Sequence, residues 1–221
     1  MSAVVAAGVL ISGPGTNLQA LIDRIAAGRL DCAIRVVISN RPDAAGLTRA
    51  RAAGIPTRVI DHRHFATRED FDRALVEALR AAEVELVLLA GFDRLITAVL
   101  LDAFRLRVMN IHPALLPSFA GLHAQRQALD YGVKIAGVTV HFVDEQTDHG
   151  PIIIQGAVPV CAGDSEAVLR DRILAVEHEV YATAIQLFAE GRLLVEGRRV
   201  VVRGSGPPVA PPLIQIGRAH V

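Results

Sequence analysis

Short apolar runs alternate with segments of helical period through the first half of the chain. Residues 4–11, 34–38, 57–60, 84–89 and 108–112 predict strands, and residues 18–27, 44–53 and 68–82 predict helices. In the last of these, Phe71, Leu75, Ala78 and Ala82 fall on one face. The strands are apolar on both sides, and their alternation with helices predicts a parallel sheet covered on both faces. After Gly121 the pattern changes. Residues 135–143 and 151–160 predict long strands separated by the polar loop DEQTDHG, and a long helix follows over about 165–190. Its apolar positions Leu169, Ile173, Val176, Val180, Ala184 and Leu187 recur every three or four residues, with Ser165 as the N-cap. Residues 193–202 predict a final hairpin around Gly197. The expected class is therefore α/β: a Rossmann-like, mostly parallel sheet with helices on both faces and antiparallel additions in the C-terminal half.

With 221 residues, 52% of them hydrophobic, the chain can bury a substantial core, and its size suits one domain over residues 1–203. The Pro- and Gly-rich stretch 204–221 has no core-building period and reads as a flexible appendage whose last residues, IGRAHV, are not native to the fold. Twenty-three basic and 23 acidic side chains cancel, so nothing in the overall charge points to nucleic acid or an anionic membrane. No apolar run approaches the roughly 20 residues of a membrane span, and the N-terminus reads as a strand and not a secretion signal. Cys32 and Cys161 stand apart in apolar surroundings, as reduced core thiols of a cytoplasmic protein do.

The most informative stretch is NIHPALLP, residues 110–117. An alternating strand projects Asn110 and His112 from one face with Ile111 turned away, their roots roughly 6 to 7 Å apart, about the span that flanks one reacting carbonyl. Pro113 holds His112 extended and ends the strand. His112 also reads as a hydrogen-bonded core histidine, but the carboxyl end of a parallel strand is where open α/β sheets bind ligands. A second candidate is the turn SGPGTN, residues 12–17, between the first strand and the first helix. It reads either as a plain tight turn or as a monophosphate seat at a helix N-terminus. It is not a dinucleotide fingerprint, because Leu18 stands where GxGxxG needs its third glycine, and the P-loop lysine is absent. Third, a carboxylate of the 144–150 loop could hold the His112 ring in one tautomer or favour its charged form; Asp144, Glu145 and Asp148 all remain open. His62, His64, His141 and His178 rate lower. No pair has convincing metal-ligand spacing, so no catalytic metal is expected.

Together the segments ISGPGTNLQALID, SNRPDAAGLTRARAAGIP, LAGFDRL, NIHPALLPSFAGLHAQRQAL, GVTVHFVDEQTDHGPII and GDSEAVLRDRILAVEHEVY resemble the phosphoribosylglycinamide formyltransferase family, in order and at the family's spacing over about residues 5–202. The resemblance implies transfer of a formyl group from 10-formyltetrahydrofolate, a co-substrate, to the amine of glycinamide ribonucleotide in purine biosynthesis. It implies a catalytic set of Asn110, His112 and Asp148. It also implies a ribonucleotide site at Gly15, Thr16, Asn17 and Glu177, and folate contacts at Arg68, Arg94, Leu95 and Ile96 with the pterin-side loop Asp144, Glu145, Gln146 and Thr147. Small-molecule partners and a monomer or homodimer are expected. Asp93 departs from the family pattern, standing where methionine is frequent beside the expected pterin pocket, and altered folate affinity is the expected consequence. Methionyl-tRNA formyltransferase and formyltetrahydrofolate hydrolase share the catalytic core but carry extra domains that do not fit this chain. A sensor that had lost catalysis would be expected to lack one of Asn110, His112 or Asp148.

Overall fold

Strand β1 (Val5–Ile11) is buried along all seven residues. It sits between β2 (Cys32–Ser39) and β4 (Leu86–Leu89), with β3 (Thr57–Val59) outside β2 and β5 (Val108–His112) outside β4, and these five strands run parallel. The direction then reverses. Strand β6 (Ile135–Phe142) pairs antiparallel with β5, and β7 (Ile152–Pro159) antiparallel with β6. The hairpin β8 (Leu193–Glu196) and β9 (Arg199–Val202) closes a nine-stranded sheet in the order β3-β2-β1-β4-β5-β6-β7-β9-β8. This computed structural model describes residues 4–204, so the expected appendage lies, apart from Gly204, outside the described residues.

Helices α1 (Thr16–Ala26), α2 (Ala45–Ala52), α5 (Ala124–Tyr131) and α6 (Glu166–Ala189) cover one face, burying Leu18, Leu47, Ala128 and Ile173. Helices α3 (Arg68–Ala81) and α4 (Ala98–Ala103) cover the other through Phe71, Leu75 and Leu100. Each fully buried Leu contributes roughly 1.5–3 kcal/mol of transfer free energy, so neither face could be left bare. The expected N-cap of α6 is present: Ser165 Oγ accepts from Val168 N at 3.3 Å. One turn of α6 is tied directly to the sheet, where the buried Tyr181 hydroxyl donates to the carbonyls of Leu89 and Met109 at 3.0 and 3.3 Å.

The mixed sheet, its reversal and the last hairpin agree with the expectation. Helices α4 and α5, of six and eight residues, lie outside the segments that the sequence marks as helical. His62 and His64 lie in a single 3₁₀ turn capped by Asp61 instead of an open loop. Cys32 is buried as expected, but Cys161 is exposed. It follows β7 in a turn where its N–H donates to Asp164, and the apolar residues before it belong to the strand and not to a core around the thiol.

Candidate active site

The alternation of β5 decides what faces what. Met109 and Ile111 pack into the core shared with α6, whereas Val108 joins the core of the other face. Asn110 and His112 therefore project together on the face that carries α3 and α4, as the sequence pattern predicts. On the antiparallel neighbour, Val138, Val140 and Phe142 face α6, which turns Thr139 and His141 to the same side as Asn110 and His112. His141 stands directly across from Asn110, and Thr139 across from His112.

Asp148 closes over this group. Its Oδ1 accepts from Asn110 Nδ2 at 3.3 Å, and its Oδ2 accepts from Gly121 N at 2.8 Å and lies 3.3 Å from His112 Nδ1. The backbone of Asp148 sits in the left-handed region at φ 51°, an uncommon conformation for a residue with a side chain, so its contacts must hold it there. Of the three acids left open by the sequence, Asp148 is the one at the imidazole; Asp144 instead bonds His149 Nδ1 at 2.8 Å. The second nitrogen of His112, Nε2, donates to the Phe119 carbonyl at 2.9 Å. Both nitrogens thus face oxygen, and only a ring protonated on both can donate to both.

His141 is the residue that sequence reasoning ranked too low. Its Nδ1 donates to the Phe142 carbonyl at 2.9 Å, and burial lowers its pKa and keeps the ring neutral, leaving Nε2 as an acceptor 3.2 Å from Asn110 Nδ2. One N–H of Asn110 is thereby committed to His141 and the other reaches Asp148. The signal was present in the alternation of VTVHF, which gives a buried strand one polar face; the pairing register that brings this face to Asn110 was not. The segment after His112 is fixed by Thr139, whose hydroxyl donates to Ala114 O at 2.7 Å and accepts from Leu116 N at 3.0 Å.

The turn after β1 forms a second cluster. Gly15 adopts φ 69° and lies so close to α2 that a Cβ would stand 2.7 Å from Gly46 Cα, which accounts for glycine there. It offers no side-chain cap, so the first-turn N–H groups of α1, at Thr16 and Asn17, receive no acceptor from it. Asn17 Nδ2 donates to Glu177 Oε2 at 2.7 Å across from α6, joining two residues 160 apart in sequence. Burial raises the pKa of Glu177 against the lowering effect of that bond, and Asn17 Oδ1 is buried with no partner. An orphaned acceptor beside a buried carboxyl suits a ligand that donates hydroxyl groups.

Between these clusters runs the segment after β4. Arg94 and Ile96 are half-buried and Leu95 is 54% exposed. Arg68 is exposed at the start of α3, and Glu145, Gln146 and Thr147 are exposed on the Asp148 loop. None of these forms a hydrogen bond or ion pair with the Asn110 cluster. The Asp93 carboxylate accepts from Asn40 Nδ2 at 3.0 Å and pairs with Arg41. Among the described residues no group of His, Cys, Asp or Glu could hold a metal ion, and no helix is long and apolar enough to cross a membrane.

Comparison with known proteins gives a consistent picture. The family model described as formyl transferase matches residues 6–185. The chain is 45% identical over 200 residues to the phosphoribosylglycinamide formyltransferase of Escherichia coli, covering 90% of this chain and 94% of that protein. It is 49% identical over 189 residues to the trifunctional purine biosynthetic protein adenosine-3 of Drosophila melanogaster, but spans only 14% of that protein's length. Among solved structures, glycinamide ribonucleotide transformylase 1 from Symbiobacterium toebii superposes with a TM-score of 0.89 at 56% identity, covering 90% of this chain and 94% of that one.

Proposed function

Because the chain belongs to the formyl transferase family, we propose that it transfers a formyl group from 10-formyltetrahydrofolate to the amine of glycinamide ribonucleotide, as in purine biosynthesis. The observation that carries this reading is the pair Asn110 and His112 on one face of β5, joined through the carboxylate of Asp148 on the loop above it. In this reading residues 1–203 act as one cytoplasmic formyltransferase domain, monomeric or dimeric, with small-molecule substrates and neither metal nor nucleic acid.

The substrate amine is itself the nucleophile, so no covalent intermediate with the protein is needed. The amine nitrogen attacks the formyl carbon, and the carbonyl oxygen gains negative charge as the tetrahedral adduct forms. Asn110 donates to that oxygen with the N–H now held by the long 3.3 Å bond to Asp148, while His141 keeps the other N–H and fixes the amide plane. His112 Nε2–H, now on the Phe119 carbonyl, marks a second donor that a substrate oxygen could take over. With Nδ1 held by Asp148, the protonated ring gives its Nε2 proton to the departing folate nitrogen as the bond from that nitrogen to the formyl carbon breaks, and regains one from the attacking amine, directly or through water. The ribonucleotide phosphate sits on Gly15, Thr16 and Asn17, and Glu177 binds its ribose. The folate lies against Arg68, Arg94, Leu95, Ile96 and the loop of Asp144, Glu145, Gln146 and Thr147. Positioning two bound substrates supplies much of the rate.

The test is a steady-state assay with both substrates present and each omitted in turn. Formylfolate consumption that requires the ribonucleotide is expected. Consumption at the same rate without the amine would make the protein a hydrolase, and tight binding of both ligands without turnover would make it a sensor.

A further inference from the structure

The loop that carries Asp148 is pinned at both ends by different means. Its neck is rigid, because Phe142 N donates to Pro151 O at 2.9 Å and a Cβ on Gly150 would stand 1.8 Å from Phe142 O, so only glycine fits. Its tip has no such backbone ladder. Gln146 N donates to Asp144 Oδ1 at 3.0 Å, and Asp144 Oδ2 takes the Nδ1–H of His149 at 2.8 Å. His149 is in turn gripped from outside the loop by Arg198, which lies in the turn between β8 and β9. Arg198 Nη2 donates to the His149 carbonyl at 2.7 Å, and its Nη1 stands 2.7 Å from Nε2 and 3.1 Å from Nδ1 of the same ring. A guanidinium only donates, so the ring must offer it a bare nitrogen. With Nδ1 committed to Asp144, that nitrogen is Nε2.

We propose that Arg198 and His149 are positioning residues, through which the C-terminal hairpin holds the Asp148 loop closed over Asn110 and His112. The proposal rests on the reading of Asp148 as the partner of His112. Asp148 is the residue directly before His149, and its left-handed backbone at φ 51° is a conformation the loop would relax out of if its tip were released. The Arg198 grip on both the ring and the carbonyl of His149 fixes that next peptide unit in place. The formyl-transfer site is thus completed by an element 50 residues further along the chain than the carboxylate it positions.

The test compares Arg198→Met, which keeps the aliphatic stem, with Arg198→Lys and with each change in an Asp148→Asn background. Loss of two surface-exposed bonds predicts a fall in kcat of roughly three- to tenfold for Arg198→Met, an intermediate fall for Arg198→Lys, and KM for the ribonucleotide within about twofold. In the Asp148→Asn background the same change is expected to cost nothing further. Hydrogen exchange at amides 144–150, followed without substrates, is expected to accelerate by a similar factor. Unchanged exchange, unchanged kcat, or a full kcat loss that persists in the Asp148→Asn background overturns the proposal. Because exchange needs no turnover, a wild-type protein that transfers no formyl group would refute the proposed function while the exchange result still decides whether Arg198 holds the loop.

Discussion

Replacing Asp148 by Asn tests the centre of the site without changing its volume. The carboxylate accepts from Gly121 N at 2.8 Å and from Asn110 Nδ2 at 3.3 Å, and faces His112 Nδ1 at 3.3 Å and His141 Nε2 at 3.8 Å. An amide has one acceptor and one donor. With its NH2 at the Oδ2 position it meets the Gly121 N–H head on; turned over, it meets the NH2 of Asn110. Either orientation sacrifices one charge-assisted bond, worth about 1.5–3 kcal/mol, and sets two donors against each other. The side chain is only 10% exposed, so water does little to soften the loss. About 3–4 kcal/mol of lost transition-state stabilisation corresponds to a fall in kcat of roughly 10²–10³. Both KM values should stay within about threefold, because neither substrate cluster is touched. The measurement is release of tetrahydrofolate under saturating conditions, with circular dichroism to confirm the fold. A kcat within about fivefold of wild type, or a loss carried entirely by KM, would show that Asp148 does not act on the reacting groups.

Glu177→Gln should raise KM for the ribonucleotide by about tenfold and change kcat less than threefold, since one hydrogen bond to the ligand is at stake; a loss confined to kcat would remove Glu177 from the ribose site. Asp72 accepts from Thr97 N at 2.5 Å and Thr97 Oγ1 at 2.8 Å, its Oδ1 is buried and unpartnered, and burial raises its pKa. A carboxyl with a raised folded-state pKa binds its proton more tightly when folded, so its contribution is complete below the unfolded value of about 3.9 and is lost as pH rises through the folded one. The Tm of Asp72→Asn should therefore gain on that of wild type across this window, and parallel Tm profiles would refute the assignment. Asp93→Met breaks an ion pair to an Arg41 that is 53% exposed, worth no more than about 1 kcal/mol, so the formylfolate Kd should move less than fivefold. A large gain in affinity would mean that Asp93 obstructs the pterin pocket after all.

Most of the scaffold could be read from the sequence, because the buried strands are continuous apolar runs and the 24-residue helix α6 is long enough for its recurring apolar positions to be followed. The geometry of β5 was equally legible: one residue of alternation places Asn110 and His112 on the same face, and Pro113 ends the strand. What the sequence did not disclose depends on register and loop path. His141 became part of the site only because β6 pairs with β5 so that it meets Asn110, and a shift of one residue would have buried it among the core residues. The choice of Asp148 over Asp144 turns on a single left-handed residue in a loop whose backbone no periodicity constrains. Short-range composition misled at Cys161, where apolar neighbours belonged to a strand that ends before it.

The hydrogen bonds of the proposed site also bear on how it discriminates between ground and transition states. In the proposed mechanism the side-chain donors meant for the formyl oxygen are already engaged: Asn110 with His141 and Asp148, and His112 with Phe119. A neutral formyl oxygen arriving there exchanges one neutral acceptor for another, or displaces Asn110 from a carboxylate, and gains little. Once the amine attacks, the same oxygen carries negative charge, and the bonds it receives become charge-assisted and roughly twice as strong. The 3.3 Å contact between Asn110 and Asp148 is the longest of the three. In the proposed mechanism the difference between the two states, and not the affinity for either substrate, is then what this arrangement of amide, imidazole and carboxylate increases.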